Sequence, residues 1–267
     1  MVSSLRLPKG CSAAILHTHT NHTDGMVSPG ELVEAAASLD VRVLAITDHD
    51  TMTGVEEARK SGREFGVEII AGEEIQTSLP RGLHVIGLYL AEPIAHSKSI
   101  EWTVEQIHKQ GGLAVVAHPM VRLLRLIPTP TGALQLSDLK RLLKTCQFDG
   151  IEIRHPNLSK TDYRILDEFY SQNQDRLGAQ IGTADCHFGG KDMLSNFTIF
   201  PGSSAEDLYM AIKDRVTEAV LGPAIKVGVL QASLQMKKSL LNLGIKRYQK
   251  MVGRWLMLEF RGQEEYL

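Results

Sequence analysis

Short apolar runs recur along the first 222 residues of the chain at Ala13–Leu16, Val41–Ile46, Val67–Ala71, His84–Leu90, Leu113–Ala117, Gly150–Ile153 and Ala179–Gly182. Each is short and rich in β-branched or aliphatic residues, which is the pattern of a buried strand. Between them the apolar positions change to helical spacing. Leu32, Val33, Ala36 and Leu39 form one stripe, and further helices are predicted to reach about Phe65, over Ser99–Gln110, Ser137–Thr145 and Lys160–Asn173, and from Ser204 to about Thr217. Helix starts are marked in the sequence. Ser28-Pro-Gly-Glu31 places an N-cap serine, a proline at the first helical position and a glutamate that closes a capping box. Thr53-Gly-Val-Glu56 repeats the signal.

Strand and helix in strict alternation imply parallel strands joined by crossover helices. About seven such units favour a barrel over an open sheet, and 267 residues is an ordinary length for one. In either architecture ligands collect at the carboxyl ends of the strands. There the chain carries His17-Thr-His19, Thr47-Asp-His-Asp50, Gly72-Glu-Glu74, His118-Pro119, Arg154-His155-Pro156 and Thr183-Ala-Asp-Cys-His187.

Charge divides the molecule. Residues 224–267 hold eight Lys/Arg against three Glu, so residues 1–223 carry the remaining 21 basic and 28 acidic side chains. This predicts a weakly acidic barrel over 1–223 and a basic, amphipathic helical tail over 224–267, with Val227, Leu230, Leu234, Leu241, Ile245, Tyr248, Val252 and Trp255 on its apolar side. Docking on the barrel, a partner surface and contact with an anionic membrane surface all suit such a tail. No apolar run approaches the roughly 20 residues of a membrane span. The first ten residues lack the apolar stretch of a secretory signal, and three cysteines without CxxC spacing suggest no disulfide framework, so the cytoplasm is expected.

The chemistry begins at Ile15-Leu-His-Thr-His-Thr-Asn-His-Thr-Asp-Gly25. In an extended segment His17 and His19 point one way and Thr18 the other, so the two imidazoles form a chelating pair. Asp24 returns a carboxylate after a polar turn. A polar loop that merely carries three of the ten histidines is the competing reading.

These motifs, taken together, resemble the PHP (polymerase and histidinol phosphatase) superfamily over most of residues 13–222. The carriers are His17-Thr-His19 with Thr23-Asp-Gly25, Ile46-Thr-Asp-His-Asp50, Ala71-Gly-Glu-Glu-Ile75, His84-Val-Ile-Gly87, Ala117-His-Pro119 and Thr183-Ala-Asp-Cys-His187. The resemblance implies a distorted (β/α)7 TIM-like barrel holding two to three divalent metal ions. It implies nine ligands: His17, His19, Asp24, His49, Glu74, His84, His118, Asp185 and His187, with Glu74 rather than Glu73 as the bridging carboxylate. Six imidazoles with three carboxylates suit Mn, Zn or Fe. His84 falls at the start of its strand, the wrong rim for a site unless the preceding loop folds inward.

Glu152-Ile-Arg-His-Pro156 resembles a Glu-Val-Tyr-His-Pro stretch in a PHP branch that acts on nucleotides and short oligonucleotides. Arg154 would then fork onto phosphate oxygens, and His155 would protonate a leaving alkoxide. A strand-end turn closed by Pro156 is the alternative. Asp48 is expected to accept a hydrogen bond that orients a ligand histidine. Cys186 is expected to be buried, His22 to be a plain loop residue with substrate contact as the alternative, His96 and His108 to be solvated, and Arg122 and Arg125 either to offer further phosphate contacts or to be solvated. The function expected is metal-dependent hydrolysis of a phosphate ester of a nucleotide, short oligonucleotide or small phosphomonoester, by a hydroxide bridging two metals. A C–N hydrolase on a related barrel and a non-catalytic regulatory module are the rivals. The chain lacks the long insertion that the branch carries between the Glu74 and His118 motifs.

Overall fold

The structure, a computed structural model, describes residues 5–78, 83–120, 135–222, 235, 237 and 238. The chain divides into two units, Met1–Lys226 and Val227–Leu267. Apart from those three residues, the predicted tail lies outside the described residues, as do Arg122 and Arg125.

The first unit keeps the alternation read from the sequence: β1 (Cys11–Ile15), α1 (Pro29–Ser38), β2 (Val43–Ile46), α2 (Val55–Phe65), β3 (Glu68–Gln76), β4 (His84–Leu88), α3 (Ile100–Lys109), β5 (Leu113–Val116), α4 (Leu136–Leu142), β6 (Gly150–Arg154), α5 (Lys160–Leu177), β7 (Ala179–Gly182), β8 (Asn196–Pro201), α6 (Ala205–Lys213) and β9 (Glu218–Leu221). The capping box at Ser28 and Glu31 forms as expected, and others form at Ser159 and Ser204. Thr53 does not cap α2. The helix starts one residue later with Gly54 as its N-cap, and the Thr53 hydroxyl instead meets His22 Nδ1 at 2.9 Å.

One sheet of nine strands runs in the order β7-β6-β5-β4-β3-β2-β1-β8-β9. It curls into a nearly closed barrel. The expectation of uniformly parallel strands needs correction. β4 is antiparallel to both β3 and β5, while β8 pairs antiparallel with β1 and with β9. Strand direction is not visible in an apolar run, because alternation of side chains is the same read either way.

Ala14, Leu16, Val43, Ala45, Ile70, Ile86, Leu88, Val115 and Ile181 meet as one apolar cluster with Leu208, Ala211 and Ile212 of α6. Their burial is nearly complete, worth about 1.5–3 kcal/mol for each larger side chain. The opposite faces of β1 and β2 pack under α1 and α2 through Ile15, Leu44, Ile46, Leu32 and Val33. α3, α4 and α5 cover Val116, Ile151 and Ile153 in a third cluster. These layers hold the strand ends rigid at one rim, where the polar residues gather. Among the described residues, no helix is long and apolar enough to cross a membrane.

Candidate metal centre

Glu74 stands at the node of the polar cluster. Its carboxylate is buried, and imidazoles from four chain segments surround it. Oε1 lies 2.6 Å from His84 Nδ1 and 2.7 Å from His118 Nε2. Oε2 lies 2.9 Å from His49 Nδ1, 3.3 Å from His19 Nε2 and 3.4 Å from His17 Nε2. Glu73, the neighbouring residue on β3, turns the other way, and its Oε2 accepts the Ile94 N–H at 2.9 Å.

On one side of Glu74, His17 Nε2 and His19 Nε2 are 3.1 Å apart, and Asp185 Oδ1 stands 3.3 and 3.2 Å from them. On the other, Asp24 approaches His19, His49 and His187 at 3.5–3.7 Å. All nine residues named from the resemblance therefore meet. Their donor atoms form four overlapping groups: His19, Asp24, His49 and His187; His17, His19 and Asp185; His17, Glu74 and His118; and His49, Glu74 and His84.

The elements explain the convergence. His17 and His19 come just after β1, where Thr18 turns its hydroxyl to Ala45 O at 2.6 Å and so pins this end to β2. His49 comes just after β2, Glu74 lies within β3 and His118 comes just after β5. The antiparallel direction of β4 places its first residue, His84, beside the carboxyl ends of its neighbours. No inward fold of the preceding loop is required. His118 and Asp185 adopt positive φ, 27° and 50°, in a region unusual for residues other than glycine.

The model of the PHP domain matches residues 16–189. The chain belongs to the PHP domain family. Among its relatives are a 5'-3' exoribonuclease of Haemophilus influenzae, 47% identical over 74 residues, and a 3',5'-nucleoside bisphosphate phosphatase of Chromobacterium violaceum, 35% identical over 102. The first match covers 27% of each chain and the second 36% of each, so this chain spans well under half the length of either relative. A solved two-domain protein from Bacteroides vulgatus containing a predicted PHP-like metal-dependent phosphoesterase shares the fold. Its TM-score is 0.67 at 18% identity, covering 88% of this chain and 73% of that one.

Not every sequence expectation reaches the centre of this PHP domain. Asp48 does not touch a cluster histidine. Its Oδ1 accepts from Thr20 N–H and the Thr23 hydroxyl, and its Oδ2 from the Thr20 hydroxyl, at 2.5–2.8 Å. It fastens the loop that delivers Asp24, because that loop's donors lie closer than any imidazole. Arg154 is also turned away. Its guanidinium forks onto Asp167 at 2.7 and 3.2 Å and lies over the Tyr163 ring, tying β6 to α5. His22 faces Thr53 and stands 3.8 Å from Glu57. His108 is exposed as expected, and there it pairs with Asp149 at 2.7 Å.

Cys186 is buried as expected, though in a polar contact. Its Sγ donates to Asp192 Oδ1 at 3.0 Å and to Gly189 O at 3.3 Å, and burial with Asp192 beside it pushes the thiol pKa well up. Two further carboxylates escaped sequence reasoning as site residues. Asp192 accepts the N–H groups of His187 and Phe188 and so shapes the turn that carries His187. Glu152, fully buried, lies 2.8 Å from His17 Nδ1. The Glu in the Glu152–Pro156 motif was the available signal.

The donor set fits divalent metal ions. Ligands about 2.1 Å from a common tetrahedral ion lie roughly 3.4 Å from one another, close to the spacings of His17, His19, Glu74 and Asp185. The His118 Nδ1 and His19 Nδ1 atoms are buried without hydrogen-bond partners. Electrostatics agree. Burial opposes charge on Glu74, yet His84, His49 and His17 hold its carboxyl well below the usual range. Burial likewise opposes ionisation of Asp185, and His17 and His187 outweigh it. Conversely, burial opposes protonation of His17, but Glu152, Asp185 and Glu74 hold its pKa well above the ordinary value. His19 and His187 rise to about 9 against the same burial, helped chiefly by Asp185 with Glu74 and Asp24. Carboxylates that hold imidazolium protons so firmly would hold a cation in their place.

Proposed function

We propose that this chain is a metal-dependent phosphoesterase that hydrolyses a phosphate ester of a nucleotide, short oligonucleotide or small phosphomonoester. The observation that carries the reading is the Glu74 carboxylate, shared between two donor groups and faced by histidines from separate strand ends. His17, His19, Asp24, His49, Glu74, His84, His118, Asp185 and His187 would hold two to three divalent ions, and imidazole with carboxylate favours Mn, Zn or Fe. Ions bound there supply Lewis acidity to phosphoryl oxygens and make a strong nucleophile available from water at neutral pH. The phosphoesterase names of the exoribonuclease and bisphosphate phosphatase relatives support the reaction class. All three cysteines are free, which suits the cytoplasm.

His155 is the chain's own candidate proton donor. Its Nδ1 accepts the Asn157 N–H at 3.2 Å, so in the neutral ring the proton sits on Nε2. That nitrogen is buried and stands 3.5 Å from Asp185 Oδ2, at the edge of the cluster. From there it can protonate a leaving alkoxide once the ring is imidazolium, which requires Nδ1 to take up a proton and release the Asn157 N–H; the ring then returns to neutral.

The test is a phosphatase and oligonucleotide screen coupled to elemental analysis. Chelation should abolish turnover, and Mn or Zn should restore it. His49→Ala and Asp185→Ala should lose at least the roughly 10–100-fold that outer partners of a metal site cost, together with bound metal. His155→Ala should lower kcat about 10²–10⁴-fold while metal content stays. Metal-loaded protein inert toward every phosphate ester offered would sink the proposal.

A further inference from the structure

Glu152 belongs to none of the four donor groups, yet its two carboxylate oxygens divide between two members of the centre. Oε1 faces His17 Nδ1 at 2.8 Å, and Oε2 accepts the backbone N–H of His118 at 2.5 Å. The side chain is fully buried in the middle of β6. An ionised carboxylate only accepts hydrogen bonds. In the neutral ring that a metal requires, the proton of His17 therefore sits on Nδ1, and the Nε2 lone pair faces His19 Nε2, Asp185 Oδ1 and Glu74 Oε2. At His118 the same carboxylate anchors a backbone with φ of 27°, a conformation that costs on the order of 1–3 kcal/mol unless its surroundings hold it.

We propose that Glu152 is the positioning residue of the centre: one carboxylate fixes the tautomer of His17 and the backbone of His118, so that both rings present a nitrogen toward Glu74. This rests on the metal-centre reading above. Its distinctive consequence lies in the isosteric amide. His17 Nδ1–H and His118 N–H are two donors, whereas a glutamine at this position offers one acceptor oxygen. Turned one way, the amide NH2 meets the His118 N–H. Turned the other way, it donates to His17 Nδ1 and drives the ring proton to Nε2, where the metal should be. Shape and volume hardly change, so the substitution strikes the hydrogen-bond polarity alone.

The experiment compares wild type and Glu152→Gln in zinc and manganese titrations against a chromophoric chelator. Circular dichroism monitors folding, and 15N–1H spectra of the histidine rings are recorded with and without zinc. The expected result is a folded variant whose metal affinity falls about 10–100-fold, with a wild-type His17 whose Nδ1 carries a proton. Unchanged metal affinity in the variant would overturn the assignment, as would a wild-type His17 with no proton on Nδ1. If the variant does not fold, the wild-type Nδ1 proton decides. Wild type that binds no metal would defeat the metal-centre reading, while a hydrogen-bonded Nδ1 proton of His17 that is slow to exchange in metal-free wild type and fast in Glu152→Gln still judges Glu152.

Discussion

A single carboxylate away from the centre, Asp149, joins three elements. Its Oδ2 accepts from the Ala114 N–H of β5 at 2.9 Å and lies 2.7 Å from His108 Nε2 of α3, while Oδ1 accepts from Lys213 Nζ of α6 at 3.1 Å. Burial acts to raise its pKa, but His108, the Ala114 amide and Lys213 outweigh burial and lower it. A carboxyl whose folded pKa lies below its unfolded value stabilises the protein above the unfolded pKa of about 3.9. That stability is lost as the pH falls through the folded value. Asp149→Asn leaves one acceptor for three donors. It should cost about 1–3 kcal/mol at pH 7, and the gap from wild type should narrow in urea melts at pH 3. A gap independent of pH would show that packing, not charge, is what the residue supplies.

At the scale of elements, helical spacing and caps located each of the α-helices α1 to α6, with ends shifted by a few positions. The seven apolar runs were all found as strands. Two features stayed hidden for physical reasons. The reversal of β4 is set by the direction the chain takes after leaving β3, which an apolar run does not encode. β8 and β9 mix buried Asn196 and Thr198 with exposed Glu218 and Leu221, and the pairing of β8 with β1 is long-range, which no local period records. The nine clustered residues were legible as candidates because their chemistry is written in their side chains. Glu152 was not, since it acts on His17 across 135 positions. Helix α2 offers a test of packing against propensity. A Cβ on Gly62 would fall 2.5 Å from Val67 O and 2.8 Å from Ile69 Cγ1, so the helix lies hard against the chain entering β3. Helix propensity alone favours alanine there by roughly 0.8–1.0 kcal/mol. We expect Gly62→Ala instead to destabilise by about 1–3 kcal/mol, as overpacking does, in thermal or urea denaturation. A stabilised variant would mean that α2 can slide on β3 without penalty.

Across the whole barrel, closure brings the last strands to the first. β7 begins at Ala179 beside Gly150 of β6 and ends at Gly182, where the Thr198 hydroxyl of β8 donates to Gly182 O at 3.0 Å and accepts its N–H at 3.1 Å. This hydroxyl bridges the interrupted ladder between β7 and β8, and its burial makes the bond obligatory. The backbones approach so closely that a Cβ on Gly182 would lie 2.2 Å from Phe197 O and 2.9 Å from Val220 N. The seam matters for chemistry because Asp185 and His187 come directly after Gly182, and Cys186 pairs with Thr18 between His17 and His19. A strand pushed outward at Gly182 would carry two members of the cluster away from the other seven. Gly182→Ala should therefore lose about 1–3 kcal/mol of stability and bind less metal at temperatures where it remains folded. Thr198→Val keeps the shape but strands two backbone groups, and should cost a similar 1–3 kcal/mol, roughly. Calorimetry with elemental analysis on both variants decides the point. Lost stability with full metal occupancy would show that the centre is held by its own loops and not by closure of the barrel.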